Sequence, residues 1–255
     1  MGTLTEPTCA PLVAPPATLL RGASLFLDFD GTLAEIAPRP DAVAPDPKLQ
    51  QLLPRLAEAL NGRLALVSGR AVGELADFFS GLDLTIGGSH GAELRWAGDA
   101  AAPSASPGWV GEVLDAAERF GRDHPGVLVE RKPFGIGLHY REAPDHARAV
   151  RAFAETLLGP GRTLQPGKMV IELRADDADK GSAIRAFLAD PRMAGTRPIF
   201  IGDDVTDEDG FRAAAELGGA GVLVGAERET AATFRLADVA AVLDWLGLAA
   251  EEAGA

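Results

Sequence analysis

The segment Ser24-Leu25-Phe26-Leu27-Asp28-Phe29-Asp30-Gly31-Thr32-Leu33 opens as a short apolar run and closes on two acids, a glycine and a threonine. A run of this length and composition predicts a buried parallel strand. Open α/β sheets hold their ligands at the carboxyl ends of such strands, which is where Asp28 and Asp30 fall. If extended geometry persists that far, period-two alternation sets both carboxylates on one side. Gly31 lets the backbone turn away sharply. Two acids this close repel. Either one of them takes up a proton more readily or a cation neutralises the pair. An ionised Asp can act as a nucleophile, its neighbour can pass protons, and a hard cation such as Mg²⁺ takes oxygen ligands. A strand followed by an Asp-Gly turn with solvated acids is the plain alternative.

The chain has 255 residues, which at about 150 residues per domain makes one large or two small domains. Hydrophobic residues form 47% of it, so a sizeable core is available; aromatics are only 6%, so that core rests on Ala, Leu and Val. A net charge of -13 argues against a nucleic-acid surface, which needs excess Lys and Arg. It leaves room for a local cationic site that holds a phosphate. The single cysteine, Cys9, permits neither an internal disulfide nor a Cys-based metal site. No run approaches a membrane span, and the N-terminus has no basic segment before an apolar one. These features predict a cytoplasmic, soluble protein with no nucleic-acid or membrane partner.

Outward from the first strand, residues 1–20 are rich in Pro, Ala and Thr and read as a flexible tail. Asp46-Pro47 reads as a cap with proline at the first helical position. Leu49, Leu52, Leu53, Leu56 and Leu60 then recur at helical spacing, with Pro54 as a defect. Strands are expected at Leu64–Val67 and Leu84–Ile86, with a helix from Val72 to Phe79 between them. This alternation is that of a doubly wound sheet. The pattern then breaks. Residues 98–108 read as a loop. A helix (110–120), two paired strands (126–130 and 135–140), a second helix (144–158) and two more strands (161–164 and 168–174) are expected after it. That order predicts a separate small α/β module at residues 92–174. Helix, strand, helix, strand and helix over 179–246 resume the first pattern. The fold class is therefore α/β: a doubly wound, Rossmann-like parallel-sheet core over 21–91 and 175–255, interrupted by a smaller α/β module.

Four sites fall at strand ends or helix starts. Asp28 and Asp30 form the first. Ser68, with Gly69 and Arg70, forms the second; the hydroxyl and nearby N–H groups suit an anion, although Ser-Gly after a strand also serves as a simple turn. Lys180 opens a helix, where a cation opposes the helix dipole; a solvated lysine is the alternative. Ile201-Gly202-Asp203-Asp204-Val205-Thr206-Asp207 crowds three acids into one turn, of which a helix cap explains only one.

In order, these four resemble the motifs of the haloacid dehalogenase superfamily of phosphatases, the first being Asp28-Phe29-Asp30-Gly31-Thr32-Leu33. Longer stretches narrow the resemblance. Val67-Ser68-Gly69-Arg70, Ser89-His90-Gly91-Ala92-Glu93, Val129-Glu130-Arg131-Lys132, Gly167 to Arg174, Asp179-Lys180-Gly181 and Gly202 to Glu208 are similar to trehalose-6-phosphate phosphatases. The likeness covers about residues 22–247. It implies a Mg²⁺-dependent phosphoric monoester hydrolase that releases inorganic phosphate from trehalose 6-phosphate through an aspartyl phosphate. It implies that Asp28 is the nucleophile and Asp30 the acid and base, and that Ser68 and Lys180 contact the phosphoryl oxygens. The metal would be held by Asp28, Asp203 and the Asp30 carbonyl, with Asp204 in support and Asp207 a weaker candidate. It implies a substrate-recognising cap at 92–174, with Lys168 and Glu172 on one strand face meeting sugar hydroxyls and Lys132, His90 and Glu93 as further contacts. An exposed charge pair is the alternative for Lys168 and Glu172. The remaining readings are a phosphatase for another sugar phosphate, a phosphomutase and an inactive sugar-phosphate sensor.

Overall fold

The computed structural model describes residues 11–37, 42–99 and 106–254. The apolar runs become strands buried from end to end. They are β1 (Ala23–Leu27), β2 (Leu64–Val67), β3 (Thr85–Gly88), β9 (Arg197–Gly202) and β10 (Ala220–Val224), of which only Arg197 is exposed. Continuous burial explains why these segments carry no polar alternation. The chain forms two compact units. One carries the described residues of Met1–Ala65 and Ile184–Ala255, the other those of Leu66–Ala183.

In the first unit the strand order is β11-β10-β9-β1-β2, with β11 at Phe234–Leu236. β1 pairs in parallel with β9, Leu27 opposite Ile201, and β10 pairs in parallel with both β9 and β11. Helix α1 (Leu49–Ala59) buries Leu49, Leu52, Leu53 and Leu56, the face expected from their spacing, and runs on through Pro54. It begins two residues after Pro47, because the Asp46 carboxylate accepts the Lys48 N–H at 2.8 Å and holds Pro47-Lys48 as a lead-in turn. Helix α6 (Glu208–Glu216) packs on β9 and β10, and α7 (Val239–Ala253) packs on α1. Phe200 and Phe211 meet at 5.4 Å between ring centroids, a contact worth about 1 kcal/mol beyond the area it buries.

Residues 11–20 are not the flexible tail expected. Val13 bridges to Phe234, residues Ala17–Leu20 form a 3₁₀ turn with Leu19 and Leu20 buried, and the Trp245 indole N–H donates to the Pro15 carbonyl at 2.9 Å. Two apolar anchors and a buried donor needing an acceptor outweigh the composition signal. Residues 1–10, with Cys9, lie outside the described residues.

The second unit contains β2-β3-β4, with β4 at Glu93–Arg95, α2 (Val72–Phe78) and a separate antiparallel sheet. β4 runs antiparallel to β3 and was not expected, nor was β11; both are three residues long, too short to show a period. The antiparallel sheet has the order β5-β6-β8-β7, made of Leu128–Lys132, Gly135–His139, Val170–Ala175 and Arg162–Gly167. On one face Ile136, Leu138, Ile171 and Leu173 pack with α3 (Gly108–Asp123) and α4 (Ala147–Thr156) through Val113, Ala117, Val150 and Ala154. The other face is polar. Register places Glu130, Gly137, Glu172 and Gln165 in one row across the four strands. Lys168 departs from the expectation: it sits exposed in the turn between β7 and β8, followed by Met169 at φ 66°, and so does not share a strand face with Glu172. Helix α5 (Lys180–Ala189) starts from a reciprocal cap: Ser182 N–H donates to the Asp179 carboxylate, and Asp179 N–H to the Ser182 hydroxyl. Among the described residues no helix is long and apolar enough to cross a membrane.

Candidate active site

Asp28 follows the last residue of β1, and Asp203 the last residue of β9. Because those strands are parallel neighbours in matched register, with Asp28 N–H donating to the Ile201 carbonyl at 2.9 Å, the two acids leave the sheet side by side. Each of Asp28, Asp203 and Asp207 offers a carboxylate oxygen within 4.8 Å of the others. Asp28 and Asp207 are buried, Asp203 half-buried. Gly31, at φ 84°, passes so close that a Cβ on it would stand 2.1 Å from Asp203 Oδ2. A bare backbone at that point is a steric condition for the cluster. Thr32 donates its hydroxyl toward Asp28 Oδ2 at 3.4 Å, a long contact. Clustered carboxylate oxygens are what a hard divalent cation takes, so Asp28 and Asp203, with Asp207 beside them, fit Mg²⁺.

The fourth motif divides its acids by task. Asp207 Oδ2 accepts the N–H groups of both Asp203 and Asp204 at 2.8 Å, fixing the turn from inside. Asp204 caps the 3₁₀ turn Val205–Asp207 by accepting the Val205 N–H at 2.7 Å, and its residue is exposed. Asp30 is half-buried, and its neighbour Gly31 donates to the Ala34 carbonyl at 2.7 Å, closing the loop after β1.

In the second unit, Ser68 is buried just beyond β2. Its N–H donates to the Gly87 carbonyl, its carbonyl accepts the His90 N–H, and its hydroxyl accepts the Arg70 N–H at 3.2 Å. Gly69 faces the His90 ring, and a Cβ there would stand 2.6 Å from it. The Arg70 guanidinium lies 5.0 Å from the centre of the Phe78 ring. Ser89 and His90 both have positive φ, a strained loop for residues with side chains. Glu93 stabilises that loop, accepting the Ser89 hydroxyl at 2.7 Å and the Val72 N–H at 3.2 Å. Lys180, at the first position of α5, is 4% exposed and so is not the solvated lysine of the alternative.

Glu172 joins two of the other expected residues. One of its oxygens lies 3.2 Å from His90 Nε2, and the other takes the Lys132 ammonium. Burial resists the Glu172 charge, but the adjoining Lys132 charge and the His90 hydrogen bond outweigh it and hold the carboxyl well below the usual carboxylate range. Burial likewise opposes the Lys132 charge, and the Glu172 and Glu130 carboxylates overcome it and raise Lys132. Burial lowers His90 and favours its neutral ring, against the pull of Glu172. Glu130 extends the row, 3.9 Å from Lys132 and 2.8 Å from His139 Nε2. Neither Glu130 nor His139 was singled out as a site residue. The signal was there: Glu130 stands two positions before Lys132 in one strand and so shares its face. The row exists because Gly137 has no side chain; a Cβ on it would come within 3.0 Å of Glu130 Oε2 and His139 Nε2.

A profile of trehalose-phosphatase sequences matches residues 26–240. The chain belongs to the trehalose-phosphatase family. It is therefore a phosphoric monoester hydrolase. It is 41% identical over 212 residues to a probable trehalose-phosphate phosphatase of Sinorhizobium fredii, covering 82% of this chain and 80% of that one. It is 38% identical over 234 residues to the trehalose-6-phosphate phosphatase of Escherichia coli, covering 87% and 84%. The structure of the C-terminal domain of trehalose-6-phosphate phosphatase from C. albicans superposes with a TM-score of 0.76 at 26% identity, covering 95% of this chain and 99% of that one. All three belong with the trehalose-phosphatase reading of the motifs.

Proposed function

We propose that the protein hydrolyses trehalose 6-phosphate to trehalose and inorganic phosphate. The observation that carries this is the cluster of Asp28, Asp203 and Asp207 at the carboxyl ends of β1 and β9, in a chain of the trehalose-phosphatase family. In this reading the Asp28 carboxylate attacks phosphorus, the P–O ester bond breaks, and Asp30 gives its proton to the departing sugar oxygen. Asp30 then takes a proton from water, which releases phosphate from Asp28 and restores the carboxylate. Mg²⁺, held by Asp28, Asp203 and the Asp30 carbonyl, would supply positive charge against the repulsion between carboxylate and phosphate ester. Asp207 keeps Asp203 in place through the backbone of the turn. Ser68 and Lys180 keep the roles that the family resemblance gives them, as contacts of the phosphoryl oxygens.

Residues 92–174 act in this reading as the substrate-recognising cap. Its polar sheet face offers the acceptors and donors a disaccharide needs, with Lys132 and Glu172 as principal contacts and Glu130 beside them. His90 and Glu93 hold the loop facing Glu172. Lys168 reaches substrate, in this reading, from the exposed β7–β8 turn.

The test is phosphate release, with Mg²⁺, from trehalose 6-phosphate, sucrose 6-phosphate and glucose 6-phosphate. Strong preference for the first is expected. Comparable rates on all three would keep the Asp28 chemistry and remove the narrow substrate. No release from any would return the sensor reading.

A further inference from the structure

We propose that Arg228 and Glu208 are positioning residues that hold the acidic turn Asp203–Asp207 in its metal-binding shape from outside the site. The proposal rests on the metal-dependent reading above. Arg228 lies in the connection between β10 and β11, far in sequence from that turn. Its Nη1 pairs with Glu208 Oε1, and its Nη2 donates to the Asp204 carbonyl at 2.7 Å. The second Glu208 oxygen accepts the Ala231 N–H at 2.8 Å, so one carboxylate ties the connection to the first residue of α6. Glu208 is 8% exposed and the Arg228 side chain half-buried, so the pair is partly shielded from solvent.

The Asp204 residue is held from two directions. Asp207 takes the N–H groups of Asp203 and Asp204 from inside the turn, and Arg228 takes the Asp204 carbonyl from outside. With both in place the backbone carrying Asp203 has little freedom, and its carboxylate is presented beside Asp28. Neither Arg228 nor Glu208 belongs to the carboxylate cluster. Outer partners of this kind orient ligands, and losing them typically weakens metal binding about 10–100-fold.

The experiment measures Mg²⁺ binding to the whole protein by calorimetry, with no substrate present. Alongside it, the Mg²⁺ concentration for half-maximal phosphate release and the KM for trehalose 6-phosphate at saturating Mg²⁺ are determined. Arg228→Ala should weaken Mg²⁺ binding by about tenfold or more and raise the half-activating concentration in parallel, with little change in KM. Arg228→Lys should recover only part, since an ammonium lacks the forked donors that reach Glu208 and Asp204 together. A purely structural role would lower the melting temperature and leave Mg²⁺ affinity unchanged, which would overturn the proposal. Glu208→Gln, which keeps the side chain's shape, tests the same pair should Arg228→Ala fail to fold; wild-type affinity in it overturns the proposal as well. A wild-type protein that binds no Mg²⁺ would overturn the metal reading itself, and this inference with it.

Discussion

His90 and Glu172 meet at 3.2 Å across 82 positions of sequence, and the same carboxylate holds Lys132. One acid thus links the loop after β3 to the polar face of the antiparallel sheet. Replacing Glu172 by Ala removes a proposed sugar contact and releases both His90 and Lys132. Trehalose 6-phosphate hydrolysis should fall about 100-fold or more, the cost of roughly 3 kcal/mol for losing a charged, buried partner. Hydrolysis of a small generic ester such as p-nitrophenyl phosphate should fall far less. Equal losses on both substrates would remove Glu172 from sugar recognition.

The same cluster sets a pH dependence. Glu172 is lowered from its ordinary 4.5, so its contribution to stability is complete above pH 4.5 and is lost as pH falls through the folded value. Lys132 is raised from 10.5, so its contribution is complete below pH 10.5 and is lost as pH rises through the folded value. His90 is lowered from 6.5, so its neutral ring contributes fully above pH 6.5 and less below. Wild type should therefore exceed Glu172→Gln in melting temperature by roughly 6–12 °C near pH 7–9. Below pH 4.5 the unfolded chain takes up a proton that the folded Glu172 resists, so the gap should narrow as pH falls. A gap that is constant down to pH 3 would contradict the ion-pair account.

Asp28→Asn preserves the size of the side chain and removes its nucleophilic charge. Phosphate release should drop by about 10⁴-fold or more while the circular dichroism spectrum is retained. Substantial turnover in a folded Asp28→Asn protein would exclude the aspartyl-phosphate route.

Gly31→Ala tests the cradle around Asp203. The added methyl would stand 2.1 Å from a carboxylate oxygen, at a φ of 84° that L-residues avoid. The expected cost is about 2 kcal/mol or more of stability, together with loss of phosphate release. Wild-type melting temperature and activity would show that the loop has room to move.

Much of this was legible in the chain itself. The apolar runs before Asp28, Ser68 and Asp203 named three central strands, because burial on both faces leaves only one kind of residue to use. The acids at the ends of β1 and β9 came with them. What stayed hidden depends on side chains reaching back to backbone. Asp207 serves the turn rather than only crowding it, and Asp204 caps it; nothing in their order distinguishes the two. Lys168 looks like a strand residue because Met169 gives no turn signal, although Met169 takes a left-handed conformation usually left to Gly or Asn. Prolines near the N-terminus suggested a tail, and the pairing of Val13 with Phe234 could be seen only once the last strand was located.

The bond from the Trp245 indole to the Pro15 carbonyl gives the molecule a built-in optical probe. Indole emission shifts when its N–H loses a fixed partner and meets water. With the other two tryptophans, Trp96 and Trp109, replaced by Phe, a chain shortened to begin after Pro15 would leave Trp245 reporting a red-shifted spectrum. Fluorescence would then reveal whether the N-terminal segment is seated before any activity is measured, and any fusion or tag joined close to this segment should be judged by that signal first.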